Sequence, residues 1–258
     1  MIKTRVLSIY EKNQLLKYGF KDIDLLRKGE LPVEYLTSFV EFKNLTIKVN
    51  QDVLIPRVES EELVDLICNF SHSLDKDISY LEVGTGSGVI SLAFYDFLTK
   101  QKNKKINKFI VTDLSLPALN LAKENFINLL GKSILNKIEF LQSDLLSVFS
   151  DQKFNLIVAN LPYIPSAMIE KLDESVKNYE PLLALDGGKT GFELINQFLE
   201  QIINKNILEN NGKIFLEVYE THDIQFIKNN FPIIYQNFLI EEFEDQFNRH
   251  RFLILKKI

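Results

Sequence analysis

The sequence predicts an α/β fold: a doubly wound, mostly parallel sheet with an antiparallel C-terminal strand, preceded by a small N-terminal helical region and a β-hairpin. Three observations carry this. From residue 78 onward, short apolar runs alternate with stretches of helical spacing. A turn with alternating glycines, "GTGSG" (84–88), joins the first of those runs to the first of those helices. The chain finishes on "FLIEEFEDQFNRHRFLILKKI", two extended runs about a polar turn, which reads as an antiparallel pair.

The elements follow in order. Residues 1–37 have helix-like spacing, with turn signals in "KYGFKD" and "RKGELP". "FVEFKNLTIKVN" (39–50) alternates like two short strands around Lys43 and Asn44. In "ESEELVDLICNF" (59–70), Leu63, Leu66, Ile67 and Phe70 share a helical face behind an acidic first turn. "ISYLEV" (78–83) reads as a strand and residues 87–100 as a helix; "KQKNKKINK" (100–108) reads as a solvated loop. "KFIVTD" (108–113) is the next strand. The helix over 116–131 carries Pro117 in its first turn and Gly131 as its stop. "KIEFLQSD" and "FNLIVAN" are two further strands, residues 191–208 a helix, and "GKIFLEVYE" (212–220) a strand. The expected divisions are 1–50 for the helices and hairpin, 51–75 for a linker and helix, and 76–258 for the α/β domain.

Composition narrows the function. A chain of 258 residues, 46% hydrophobic and 25% charged, suits a globular protein and excludes disordered or fibrous classes. A formal net charge of −5 argues against stable binding along nucleic acid, which needs a basic surface. Cys68 stands alone, so no internal disulfide is expected and a reducing cytoplasm is the simplest location. No stretch approaches the roughly 20 apolar residues needed to span a bilayer, and the first 20 residues lack the apolar run of a secretion signal. No membrane association and a monomer are expected. His72, His222 and His250 are scattered without ligand spacing; they read as surface residues, and no metal site is expected.

Ligands of such sheets bind at the carboxyl ends of the strands, which directs attention to four places. In "LEVGTGSGVI", Gly84, Gly86 and Gly88 permit a tight turn and close approach of a ligand to a helix N-terminus. Val89 stands where a dinucleotide fingerprint needs its last glycine, and the lysine of a phosphate loop is missing, so a nucleoside without pyrophosphate fits better. Asp113 closes the next strand, where a carboxylate can accept ribose hydroxyls; a strand–helix turn with a capping aspartate is the bland alternative. Glu82 is a polar intrusion in a strand, either facing the ligand or exposed at a strand end. "NLPYIP" (160–165) ends a buried strand on an amide, two prolines and an aromatic ring. It is either a strand stop or a set of groups aimed at something planar. Arg57 is either a substrate or hinge contact, or a partner of Glu59 or Glu62, and "LDGGKTG" (185–191) is a glycine-rich turn into a helix.

Together, "GTGSG", "TDLS" (112–115) and the N-x-P-Y pattern at 160–163 resemble class I S-adenosylmethionine-dependent methyltransferases that act on a planar amide or amino nitrogen. "DVLIPRVESEELV" (52–64) resembles the linker of the HemK-type protein-(glutamine-N) methyltransferases, which modify peptide chain release factors. "YEPLLALDGGKTGFELI" (179–195) and "NRHRFLILKK" (248–257) are similar to later segments of the same family. The resemblance implies methyl transfer from S-adenosylmethionine, with S-adenosylhomocysteine as product, to the glutamine of a Gly-Gly-Gln motif in a release factor. It implies cofactor contacts from Gly84, Thr85, Gly86, Ser87, Gly88, Asp113, Leu114, Asp144, Leu145 and Asn160. It assigns the catalytic segment to Asn160, Leu161, Pro162 and Tyr163, with the Asn160 oxygen and the residue 161 carbonyl accepting from the glutamine amide and the Tyr163 ring packed on it. Leu161 departs from the family's proline, and the region before the linker is shorter than usual, which makes 1–50 a reduced substrate-recognition region. "NLPY" also resembles ribosomal RNA adenine dimethyltransferases, so an RNA adenine methyltransferase and a non-catalytic S-adenosylmethionine-binding module are the alternatives.

Overall fold

A computed structural model describes residues 6–21, 29–74, 77–101 and 105–258. Its main sheet has seven strands in the order β5-β4-β3-β6-β7-β9-β8. These are β3 (Ile78–Val83), β4 (Ile106–Asp113), β5 (Glu139–Gln142), β6 (Phe154–Ala159), β7 (Leu208–Glu217), β8 (Phe238–Glu244) and β9 (His250–Lys257). The first five pair in parallel, and β9 runs antiparallel between β7 and β8. A separate two-stranded hairpin is made by β1 (Phe39–Phe42) and β2 (Leu45–Lys48).

The strands read as continuous apolar runs because both faces of the sheet are covered. Along β3, Tyr80 points into one core, while Leu81 and Val83 point into the other. β6 divides likewise, with Leu156 and Val158 on the first face and Ile157 and Ala159 on the second. The first core is filled by α3 (Glu59–Ser73), α4 (Val89–Thr99) and α5 (Leu116–Leu130), through Leu63, Ile67, Phe94, Leu121 and Phe126. The second is filled by α8 (Glu193–Lys205), α9 (Ile224–Asn230) and α10 (Pro232–Asn237), through Phe198, Leu199, Ile227 and Ile234. From β3 the chain winds outward to β4 and β5, then returns to β6 on the other side. The crevice at the ends of β3 and β6 is therefore the topological switch point where ligands bind in open α/β sheets.

Ahead of the sheet, α1 (Ile9–Lys17) opens on a Ser8 capping box and packs Leu15 with Leu7 and with Val33 of α2 (Val33–Thr37). The hairpin shares the first core through Val40, Phe42 and Ile47.

Boundaries differ from expectation in three places. Asn206 adopts φ +50° and stops α8 at Lys205, so residue 208 begins β7 rather than ending a helix. β4 starts at Ile106, inside the stretch expected to be loop; residues 102–104 of that stretch lie outside the described residues. Residues 166–184, left without elements by the sequence reading, hold α6 (Ser166–Ile169), α7 (Glu174–Lys177) and a 3-10 turn (Leu182–Ala184). Among the described residues, no helix is long and apolar enough to cross a membrane.

Asn125 of α5 joins the hairpin to the glycine turn. Its Oδ1 accepts from the Lys48 amide at 2.9 Å, and its Nδ2 donates to the Lys48 and Ser87 carbonyls at 3.0 and 2.9 Å. Net worth near 1 kcal/mol per bond makes Asn125→Ala cost about 2–3 kcal/mol, measured by urea denaturation.

Candidate functional site

At the end of β3 the chain turns through Gly84, Gly86 and Gly88, at φ +75°, +55° and +82°. These values favour residues without Cβ. The turn is fixed to the neighbouring strand, because Gly84 and Thr85 both donate their amides to the Thr112 carbonyl at 2.9 Å. Asp113 then holds its tip. Oδ2 accepts from the Gly86 amide and Oδ1 from the Ser115 amide, each at 2.8 Å. Burial pushes the Asp113 carboxyl up, and the amides of Gly86, Ser115 and Leu114 pull against that. Three amides on two oxygens leave a lone pair for a ligand hydroxyl. Gly88 stays off the cavity wall; a Cβ there would crowd Ala122 and Phe126 of α5, so its bareness serves packing.

Glu82 is buried, which excludes the exposed strand-end reading. Its carboxyl accepts from Thr85 Oγ1 at 2.7 Å and from Ser91 Oγ. Desolvation raises its pKa to about 7, against those hydrogen bonds, and the nearby Asp113 adds to the rise.

Across the crevice, β6 ends at Ala159, and Asn160 turns its amide nitrogen to Glu217 Oε2 at 3.0 Å and to Ser60 Oγ at 3.4 Å. Among the described residues no donor meets the side-chain oxygen, and Asn160 lines the cavity. Tyr163 donates its hydroxyl to Glu217 Oε1 at 2.9 Å, and Arg251 lies 5.9 Å from the ring centroid. Tyr163 is not part of the cavity wall, so its position supports a bracing role rather than the expected stacking on a substrate amide.

The loop 160–166 is held by the glycine-rich segment 185–191. Ile164 donates to the Leu185 carbonyl at 3.1 Å, Gly187 to Ile164 at 2.9 Å, and Ser166 to Gly188 at 2.8 Å. A Cβ on Gly187 would stand 2.6 Å from the Pro162 oxygen, and one on Gly191 would overlap the Tyr163 carbonyl. Both glycines are thus required by close backbone approach. His222 braces the same segment from behind and corrects the expectation of a surface residue. It is fully buried between Phe192 and Phe226, its Nε2 lies 2.9 Å from the Thr190 carbonyl, and burial lowers its pKa.

The linker closes the rim. Glu180 accepts from the Ile55 amide at 3.0 Å and from Arg57 at 2.5 Å. Neither Glu59 nor Glu62 is the partner of Arg57; Glu59 instead meets Arg249 at 2.5 Å.

These parts enclose a cavity of about 290 Å³, near the lower bound of small-ligand sites. Of the expected residues, Gly84, Thr85, Gly86, Ser87, Asp113, Leu114, Asp144, Leu145, Asn160, Leu161 and Pro162 line it. Leu145 is buried at φ +47°, an uncommon conformation for leucine, and its carbonyl accepts from Ser143 Oγ at 2.8 Å. Leu161 is buried, and its Cδ2 would lie 3.1 Å from a Cβ placed on Gly84. Ser60, Glu180 and Glu217 were not foreseen. A glutamate closing the apolar run "KIFLEV" of a central strand was the available signal for the last.

Residues 60–175 match the family model for the methyltransferase small domain. The release factor glutamine methyltransferase of Lactococcus lactis is 34% identical over 87% of this chain and 77% of its own length. That of Leptospira interrogans is 34% identical over 95% of this chain and 82% of its own. Among solved structures, human methyltransferase 10 domain containing protein aligns with a TM-score of 0.54 at 14% identity, covering 98% of this chain and 99% of that one. A Pyrococcus furiosus methyltransferase aligns at 0.52 and 17% identity, over 84% and 91%. At such identities these two support the fold alone.

Gly191→Ala forces a Cβ into the Tyr163 backbone from a left-handed position. It lowers stability by about 2–3 kcal/mol in thermal unfolding and, at temperatures where the protein stays folded, reduces methyl transfer.

Proposed function

Because the chain belongs to the release factor glutamine methyltransferase family, we propose that its cavity binds S-adenosylmethionine beside the side-chain amide of a release-factor glutamine and directs a methyl group onto that nitrogen. The observation that supports this most is the Asn160 amide, turned nitrogen-first to Glu217 so that its oxygen is offered to the cavity holding the Asp113-pinned glycine turn.

The residues present fit the donor. Gly84 and Gly86, which carry no side chain, allow a nucleoside to approach closely. The spare lone pair of Asp113 suits a ribose hydroxyl, and Leu114, Asp144 and Leu145 offer a wall for the base. Bound there, S-adenosylmethionine supplies an electrophilic methyl group on a sulfonium. No strong base is needed from the protein. A glutamine nitrogen is a poor nucleophile because its lone pair is delocalised into the carbonyl. Two acceptors on its N–H bonds, Asn160 Oδ1 and the Leu161 carbonyl, orient it and favour pyramidalisation as charge develops. The carbonyl is a main-chain group, so Leu161 retains it in place of the family's proline. Once methylated, the nitrogen is acidic and releases its proton.

In this reading 76–258 is the methyltransferase domain, 51–75 the linker and helix that close its rim, and 1–50 a substrate-recognition region. A translation factor as substrate places the enzyme in the cytoplasm. The acidic balance of the chain favours protein over RNA as the methyl acceptor.

Incubating purified release factors with the enzyme and labelled donor, followed by peptide mass spectrometry, adds one methyl to the glutamine of Gly-Gly-Gln. Label in ribosomal RNA instead overturns the reading. Asn160→Ala abolishes turnover with donor affinity nearly intact by calorimetric titration. Asp113→Ala weakens donor binding first, by about tenfold or more. Equal effects of the two changes on donor affinity would refute this division of roles.

A further inference from the structure

Glu217 touches neither reactant in the scheme above, yet its two oxygens collect donors from separate stretches of chain. Oε2 accepts from Ser60 Oγ at 2.7 Å and from Asn160 Nδ2 at 3.0 Å, and Oε1 accepts from the Tyr163 hydroxyl at 2.9 Å. The residue is 1% exposed. An ionised carboxylate has no hydrogen to give. Beside it Asn160 has one satisfied orientation, with nitrogen inward and oxygen toward the cavity. A protonated carboxyl carries a hydroxyl, which Asn160 can accept after turning its amide by a half rotation. That turn would present NH₂, not oxygen, to the N–H bonds of a substrate amide.

We propose that Glu217 is a positioning residue for methyl transfer, its negative charge holding the Asn160 oxygen toward the acceptor nitrogen; this rests on the glutamine-methylating reading above. The groups facing it are drawn from every neighbouring element. α3 supplies Ser60 and also Glu59, which is engaged by Arg249. The 160–163 loop supplies Asn160 and Tyr163. β9 supplies Arg251, whose Nε lies 3.6 Å from buried Asp245 and finds no hydrogen-bond partner. Burial pushes the Glu217 carboxyl above the usual range; Ser60, Tyr163 and Arg251 oppose this, and Glu59 adds to it. The sign follows: the productive Asn160 orientation is held above the Glu217 pKa and lost as pH falls through it.

Two measurements test this. In single-turnover methyl transfer to a release factor, the wild type shows an acid limb. Glu217→Gln, which has one acceptor oxygen where three donors converge, is slowed about 100-fold with donor affinity within twofold, and its acid limb disappears. Ser60→Ala keeps the carboxylate but removes a donor to it, so the limb moves to higher pH. Wild-type rates in Glu217→Gln, an unchanged limb in that variant, or a limb unmoved by Ser60→Ala would each overturn the proposal. Independently, the Asn160 side-chain NH₂ signals of ¹⁵N-labelled protein shift with pH in the wild type and not in Glu217→Gln. Signals constant with pH in the wild type would also overturn it. The spectroscopic measurement needs no methyl acceptor. A wild type that binds donor and leaves release factors unmethylated therefore counts against the functional reading, while the spectra still decide the role of Glu217.

Discussion

A carboxylate sealed inside protein costs several kcal/mol unless hydrogen bonds or opposite charge compensate it, and the organisation of this site follows from how Glu217 meets that demand. Its donors come from α3, from the residue that follows β6 and from the tyrosine three positions later. None of these neighbours is free to rotate without leaving a buried acceptor unmet. The requirement that stabilises Glu217 therefore also fixes the side chain that faces the cavity. Polar groups with a chemical task are held in place by other polar groups, out of contact with the ligand.

The same economy governs the opposite wall. Asp113 ends β4 and reaches across to the glycine turn after β3, so two adjacent parallel strands present their ends as one rigid surface. The switch in winding direction between β3 and β6 then opens the crevice between the two walls. The linker seals its rim through Glu180, which ties residues 55 and 57 to a segment more than a hundred positions later. The cavity and the side chains around it thus arise from one feature of sheet topology, with the side chains only refining it.

Much of this was legible in the order of residues. β3 at 78–83 and the hairpin were visible because apolar alternation and turn chemistry act over a few residues, and α5 was bracketed by Pro117 and Gly131. The glycine turn and Asp113 were visible as candidates because their conformational demands are local. Partnerships were not. Arg57 had three glutamates within five residues, yet pairs with Glu180, since chain distance says little about which carboxylate the fold delivers. His222 read as a surface residue because nothing in its neighbourhood announced that Phe192 and Phe226 would enclose it. The partner of the Tyr163 hydroxyl was hidden for the same reason: it lies 54 positions away, at the end of β7.

One contact links the two walls directly. The buried side chain of Leu161 rests where Gly84 has none, so the glycine turn after β3 and the segment after β6 abut through an aliphatic group. A proline at this position would be a flat, rigid ring; leucine is branched and rotatable. The spacing between these two segments is accordingly gauged by the girth of a leucine, and exchanging that one spacer would retune it without altering a single polar group.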